Sequence, residues 1–118
     1  PRVQSHEVPS YLALADLLVL LNTSELSYHM YTSPLKLFEY MASGVPILCT
    51  SSPSITEVVS EKEVYFLNNF SIGSVTDTIA HILFTKREAG EKASCARKRV
   101  QEYDWGDRAK RILLFLDR

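Results

Sequence analysis

The residues best placed to do chemistry lie in one run, Tyr31-Thr-Ser-Pro-Leu-Lys-Leu-Phe-Glu-Tyr-Met-Ala-Ser-Gly-Val-Pro46. Ser33 is a good helix N-cap, Pro34 fits a first helical turn and Gly44 is a good stop, so the pattern predicts a helix over 34–43. The start of a helix offers N–H groups with no intrahelical acceptor and the positive end of the dipole, which together suit a phosphate. Pro34 supplies no donor, so the free amides are those of Leu35 and Lys36, and Lys36 adds a positive charge in the same turn. Glu39 follows about one turn later, flanked by Phe38, Tyr40 and Met41. A carboxylate among apolar neighbours needs a partner. A pair of sugar hydroxyls would serve, because the two oxygens accept donors side by side. Solvation, or a bond to Lys36 at i,i−3, would serve as well.

The elements around this run must hold it at the edge of a sheet. Leu17-Leu-Val-Leu-Leu21 is a continuous apolar run ended by Asn22-Thr23, as in a parallel strand covered on both faces. Pro46-Ile-Leu-Cys49 and Val64-Tyr-Phe-Leu67 read as two more buried strands. Between them fall helices: Val8 to Ala15 with Pro9 in its first turn, the helix over 34–43, whose apolar residues Leu35, Phe38, Met41 and Ala42 recur at helical spacing, and a short one through Val59. Ser54 and Glu57 have capping-box spacing, which predicts the start of that short helix and accounts for Glu57 without a function. Further on, Ser74 is expected to cap a helix from Val75 to Thr85, with Asp77 in its first turn. A charged helix runs from about Glu88 to Glu102, and Asp104 caps a last one from Trp105 to Leu116. Three buried strands separated by helices give an α/β fold, a parallel sheet with helices on both faces. The polar loop Ser24 to Thr32 leaves the first strand. In such sheets ligands bind outside the carboxyl ends of the strands, which is where the helix over 34–43 begins.

Composition narrows the function. The 118 residues carry 13 Lys+Arg against 14 Asp+Glu, a net charge of −1, with 46% hydrophobic residues. That near-neutral balance argues against a dedicated nucleic-acid binder, and the 4 Gly and 5 Pro argue against disorder. Cys49 and Cys95 make no disulfide framework and read as reduced thiols, Cys49 a small core residue and Cys95 an inert one. His6, His29 and His81 are far apart, without metal-ligand spacing, and His29 reads as a solvated loop residue. The longest apolar run is far short of the ~20 residues of a membrane span, and no signal peptide is visible at Pro1. The run Lys92 to Arg99 alternates with Ala93, Ala96 and Val100 and reads as a solvated helix face.

The run around Glu39 resembles the donor-binding helix of GT-B glycosyltransferases, especially the retaining family-4 group. Members carry segments much like Ser33-Pro-Leu-Lys-Leu-Phe-Glu-Tyr-Met-Ala-Ser-Gly-Val-Pro-Ile47. The resemblance extends to Glu7-Val-Pro-Ser-Tyr-Leu-Ala-Leu-Ala-Asp16, to Leu17–Thr23, to Pro53-Ser-Ile-Thr-Glu-Val-Val59 and to Tyr103-Asp-Trp105, in the family's order and over nearly the whole chain. It implies a Rossmann-like sheet belonging to the C-terminal, nucleotide-sugar-binding domain. It implies that Glu39 holds the ribose hydroxyls and that amides around Ser33, Pro34, Leu35 and Lys36 receive the diphosphate. It places Tyr31 at the position that contacts the donor sugar and counts Thr32 among the nucleotide-sugar-binding residues. Tyr31 departs from the family, which usually has a second Glu eight positions before the first; a neutral hydrogen bond or ring stacking would replace the charged grip.

The same resemblance implies transfer of a hexose or N-acetylhexosamine, with retention, from a UDP- or GDP-sugar. The acceptor would be a saccharide or lipid-linked saccharide in bacterial surface polysaccharide synthesis (O-antigen, lipopolysaccharide or capsule). No cofactor, metal or nucleic acid is expected, and the location is cytoplasmic, with peripheral association at the inner membrane open to the full-length enzyme. The family's diphosphate-binding Arg and Lys, its first strands and its acceptor domain would all precede Pro1. The chain therefore reads as the last part of a donor domain, with negligible transfer activity alone and a tendency to self-associate through its exposed first strand. The rival reading is a non-catalytic α/β module whose helix over 34–43 serves packing or a protein contact.

Overall fold

Three parallel strands, β1 (Leu18–Leu20), β2 (Ile47–Thr50) and β3 (Tyr65–Leu67), pair in the order β1-β2-β3. Leu18 sits opposite Ile47, and Cys49 opposite Phe66. The structure is a computed structural model and describes residues 2–21 and 35–116, apart from the side chains at positions 105, 108, 111 and 115. The helices are α1 (Val8–Ala13), α2 (Leu35–Ser43), α3 (Pro53–Thr56), α4 (Ile72–Phe84), α5 (Lys86–Val100) and α6 (Trp105–Leu116).

Every residue of the central strand β2 is buried, which is why its sequence is a run and not an alternation. The two-residue period still sorts its side chains. Ile47 and Cys49 join Leu37, Met41, Ile55, Val58, Val64 and Ala96 on one face of the sheet. Leu48 joins Tyr65, Leu67, Ile82 and Ala89 on the other. Helix α5 serves both clusters, through Ala89 near its start and Ala96 near its end. Full burial of a side chain the size of Leu37 contributes about 1.5–3 kcal/mol, so these two clusters dominate the fold's stability.

The strands and the order of helices match the sequence expectation, while several caps move. Pro53 takes the first turn of α3, so the cap falls to Ser52, in extended backbone, and not to Ser54. Glu57 then sits at the C-cap, exposed, and the Ser54–Glu57 capping box does not form. The next Ser-x-x-Glu closes a turn and not a helix: the Glu63 carboxylate accepts from the Ser60 amide at 2.7 Å and from its hydroxyl at 2.8 Å. Helix α4 starts three residues early, because the Ser71 hydroxyl takes the Ser74 amide at 3.1 Å. Asp77 is thereby moved out of the first turn. Helix α5 also starts early, directly after Thr85, and a 3-10 turn over Gln101–Tyr103 closes the charged stretch. A 3-10 turn over Ser5–Glu7 precedes α1, tied by the Gln4 amide donating to Glu7 at 2.9 Å.

Candidate functional site

Helix α2 is set by its back. Leu37 and Met41 are fully buried against Ile47 and Ala96, so the opposite side must face outward. At about 100° per residue, Leu35, Lys36, Glu39 and Ala42 fall in one arc, and all four are exposed. Glu39 lies at the centre of that arc, with Leu35 and Lys36 one turn nearer the helix start. A third side is braced by the Phe38 ring against Tyr103, with centroids 5.2 Å apart.

The end of α2 is closed locally. The Ser43 hydroxyl donates to the Tyr40 carbonyl at 2.6 Å and accepts from the Val45 amide at 3.2 Å. Gly44 then turns the chain at φ 74°, a left-handed conformation that favours glycine, and Pro46 leads into β2.

Three of the residues singled out in the sequence therefore share one surface: Leu35, Lys36 and Glu39. Tyr31, Thr32, Ser33 and Pro34, with the expected N-cap, lie outside the described residues, as do the loop 24–32 and His29. Among the described residues, Glu39 makes no hydrogen bond or ion pair, and the i,i−3 bond to Lys36 does not form. Among the described residues the carboxylate is an unpaired acceptor at the surface.

Glu39 is also one wall of a cleft of about 220 Å³ between α1 and α2, lined by Val8, Pro9 and Leu12 on one side and by Glu39, Ala42 and Ser43 on the other. The α1 wall was not singled out from the sequence. Its signal is the Val8–Leu12 pair at i,i+4, half-buried on the side that meets α2. An apolar wall facing a carboxylate can accept the flat side of a small polar ring while its hydroxyls bond to the acid.

Two other reactive groups, His81 and Cys49, are occupied or sealed, while Cys95 is an exposed free thiol on α5. His81 pairs with Glu88 at 3.6 Å across the junction of α4 and α5. Burial pushes the Cys49 thiol up to about 12, and the group donates weakly to the Tyr65 carbonyl, so it has no nucleophilic role. Among the described residues no three His, Cys, Asp or Glu side chains come together as metal ligands do, and no helix is long and apolar enough to cross a membrane.

The family model of glycosyl transferase-like proteins matches residues 1–114, a span that includes both walls of the cleft and all three strands. This chain belongs to the glycosyl transferase-like family. No curated protein matches it at a significant level. The chain is thus a glycosyltransferase domain, with a Rossmann-like parallel sheet, and its role is in glycosyl transfer. In this glycosyltransferase domain the exposed face of α2 carries Leu35, Lys36 and Glu39 together.

Proposed function

We propose that this glycosyltransferase domain binds the nucleotide-sugar donor on the outer face of α2, as the donor-binding part of a retaining hexosyltransferase. The Glu39 carboxylate accepts both ribose hydroxyls. The Leu35 and Lys36 amides and the Lys36 ammonium face the diphosphate. As the sugar departs, negative charge develops on that diphosphate, and fixed amide dipoles and a nearby cation stabilise it without reorganising. The α1–α2 cleft is smaller than the roughly 300 Å³ at which small-molecule pockets begin, so it takes one end of the donor while the rest lies along α2. The donor is a UDP- or GDP-hexose or N-acetylhexosamine, and the acceptor a saccharide or lipid-linked saccharide of a bacterial surface polysaccharide, assembled in the cytoplasm.

One observation carries the reading: a solvent-facing glutamate with no partner among the described residues stands one turn from the start of a helix in a glycosyltransferase domain. Titration with UDP and with GDP, followed through the amide signals of Leu35 and Lys36, tests it. Those signals shift on binding, and Glu39→Ala weakens binding about tenfold to a hundredfold, the worth of hydrogen bonds to a charged acceptor. Unchanged affinity in Glu39→Ala would overturn the assignment.

A further inference from the structure

Helix α2 is gripped unevenly around its circumference. Its two fully buried residues, Leu37 and Met41, lie one turn apart in a single narrow stripe. Such a stripe fixes how deep the helix sits but gives little leverage against rocking about it. Rocking is resisted on the flanks. Phe38 and Tyr40, one residue either side of Glu39, are half-buried and pack against the cluster that holds Ile47, Cys49 and Ala96. The far end of the helix has a contact of its own. Arg97 lies over Gly44, its guanidinium 3.7 Å from where a Cβ would stand, and a cation there suits the negative end of the helix dipole.

Phe38 also meets a ring that does not belong to that core. Tyr103 ends the 3-10 turn that continues α5 directly. Its ring centroid stands 5.2 Å from that of Phe38, with 34° between the planes. Tyr103 is 36% exposed, so burial alone does not explain an aromatic residue there; what its ring touches is the flank of α2 next to Glu39. One stretch of chain therefore holds the helix from several sides: Ala96 lies beneath it, Arg97 at its end and Tyr103 on its flank.

We propose that Tyr103 is a positioning residue for the donor site: its stack on Phe38 fixes the rotation of α2 and, through it, the place of the Glu39 carboxylate. The inference rests on the donor reading of α2 given above. Phe38 immediately precedes Glu39, so about 100° of arc separates the braced ring from the carboxylate, and the two turn as one body. The carboxylate stands about 6 Å from the helix axis, so a rotation of about 20° carries it through about 2 Å. That is more than a hydrogen bond of about 3 Å tolerates, and two bonds to neighbouring ribose hydroxyls are lost together. Tyr103 touches no reacting atom in this scheme; it sets where the acid stands.

Titration with UDP and with GDP tests it in Tyr103→Leu, Tyr103→Phe, Glu39→Ala and the double variant Tyr103→Leu, Glu39→Ala, each verified as folded by thermal melting. Tyr103→Leu weakens binding about tenfold, while Tyr103→Phe, which keeps the ring, stays within about twofold of the unmodified chain. In the Glu39→Ala background Tyr103→Leu causes no further loss, because the group it positions is gone; a merely structural residue would cost the same with or without the acid. The crystal structure of ligand-free Tyr103→Leu reads the brace without nucleotide and shows α2 turned about its axis. Unchanged binding in Tyr103→Leu, an equal loss in both backgrounds, a Tyr103→Phe as weak as Tyr103→Leu, or an α2 that has not moved in the crystal would each overturn the proposal. Unchanged affinity in Glu39→Ala is a different failure: it removes the donor reading, while a turned α2 in the crystal would still establish the brace.

Discussion

Replacing Glu63 is the sharpest test of how the packing behind α2 is held. Glu63 is only 6% exposed, yet it carries a carboxylate into the turn that leads to β3. It accepts from the Ser60 amide and hydroxyl at 2.7 and 2.8 Å, and Arg99 of α5 approaches it at 3.8 Å. Each hydrogen bond to a charged acceptor contributes about 1.5–3 kcal/mol net. Ser60 is exposed, so water recovers part of that when the acid is removed. Arg99 is more than a third exposed, and its pair is screened to well under about 1 kcal/mol. The expected cost of Glu63→Ala is therefore about 2 kcal/mol, a fall in Tm of about 8 °C for a domain of this size. Glu63→Gln keeps an oxygen acceptor for Ser60 and should lose about half as much. Urea unfolding and thermal melting of both variants measure this. If Glu63→Ala is no worse than Glu63→Gln, or moves Tm by less than about 2 °C, the turn is not held by the carboxylate and the reasoning fails.

Gly44→Ala should cost about 1 kcal/mol by urea unfolding; the nearest Arg97 atom would lie 3.7 Å from the new methyl, so there is room and the cost is the positive φ. Native protein at pH 8 should react through Cys95 with an aromatic disulfide reagent, and Cys49 should react only after unfolding. Cys49 also sets a sign: the folded thiol keeps its proton to about 12 while the unfolded one loses it near 9.0, so this contribution to stability is intact below pH 9 and is lost as pH rises toward 12. Burial, and then the Glu88 carboxylate, push the Tyr65 phenol the same way. The Tyr65 hydroxyl is buried without a full hydrogen-bond partner, and the Thr85 hydroxyl that bears on it donates to the His81 carbonyl; Tyr65→Phe should therefore leave Tm unchanged or raise it slightly.

The strands and the order of helices were legible because apolar runs and 3.6-residue spacing depend on burial, which the side chains announce. Of the apolar residues that spacing picks out on α2, Leu35, Phe38, Met41 and Ala42, only Met41 is fully buried; Leu35 and Ala42 are exposed, and Leu37, one turn before Met41, takes the inner position, which spacing alone did not separate from its neighbours. Caps were less legible because several serines compete for each one. Ser52, Ser54, Ser60, Ser71 and Ser74 are chemically alike, and the choice among them is made by Pro53 in one case and by the local path of the chain in the others. The cleft needed tertiary structure: α1 and α2 are far apart in sequence, and only their packing turns Val8 and Leu12 into a wall opposite Glu39. The charged run of α5 was visible too. That Arg97 lies over Gly44, and that Tyr103 reaches Phe38, depended on the fold.

The division of labour within α2 bears on how such domains diversify. Its inward residues are locked by full burial, so exchanging them disrupts the sheet. Its outward residues touch little, and substitutions at such positions cost within about 0.5 kcal/mol. Exchanges at positions 35 and 42 therefore leave the architecture intact, so the exposed face of this helix can change its chemistry without renegotiating the packing that presents it.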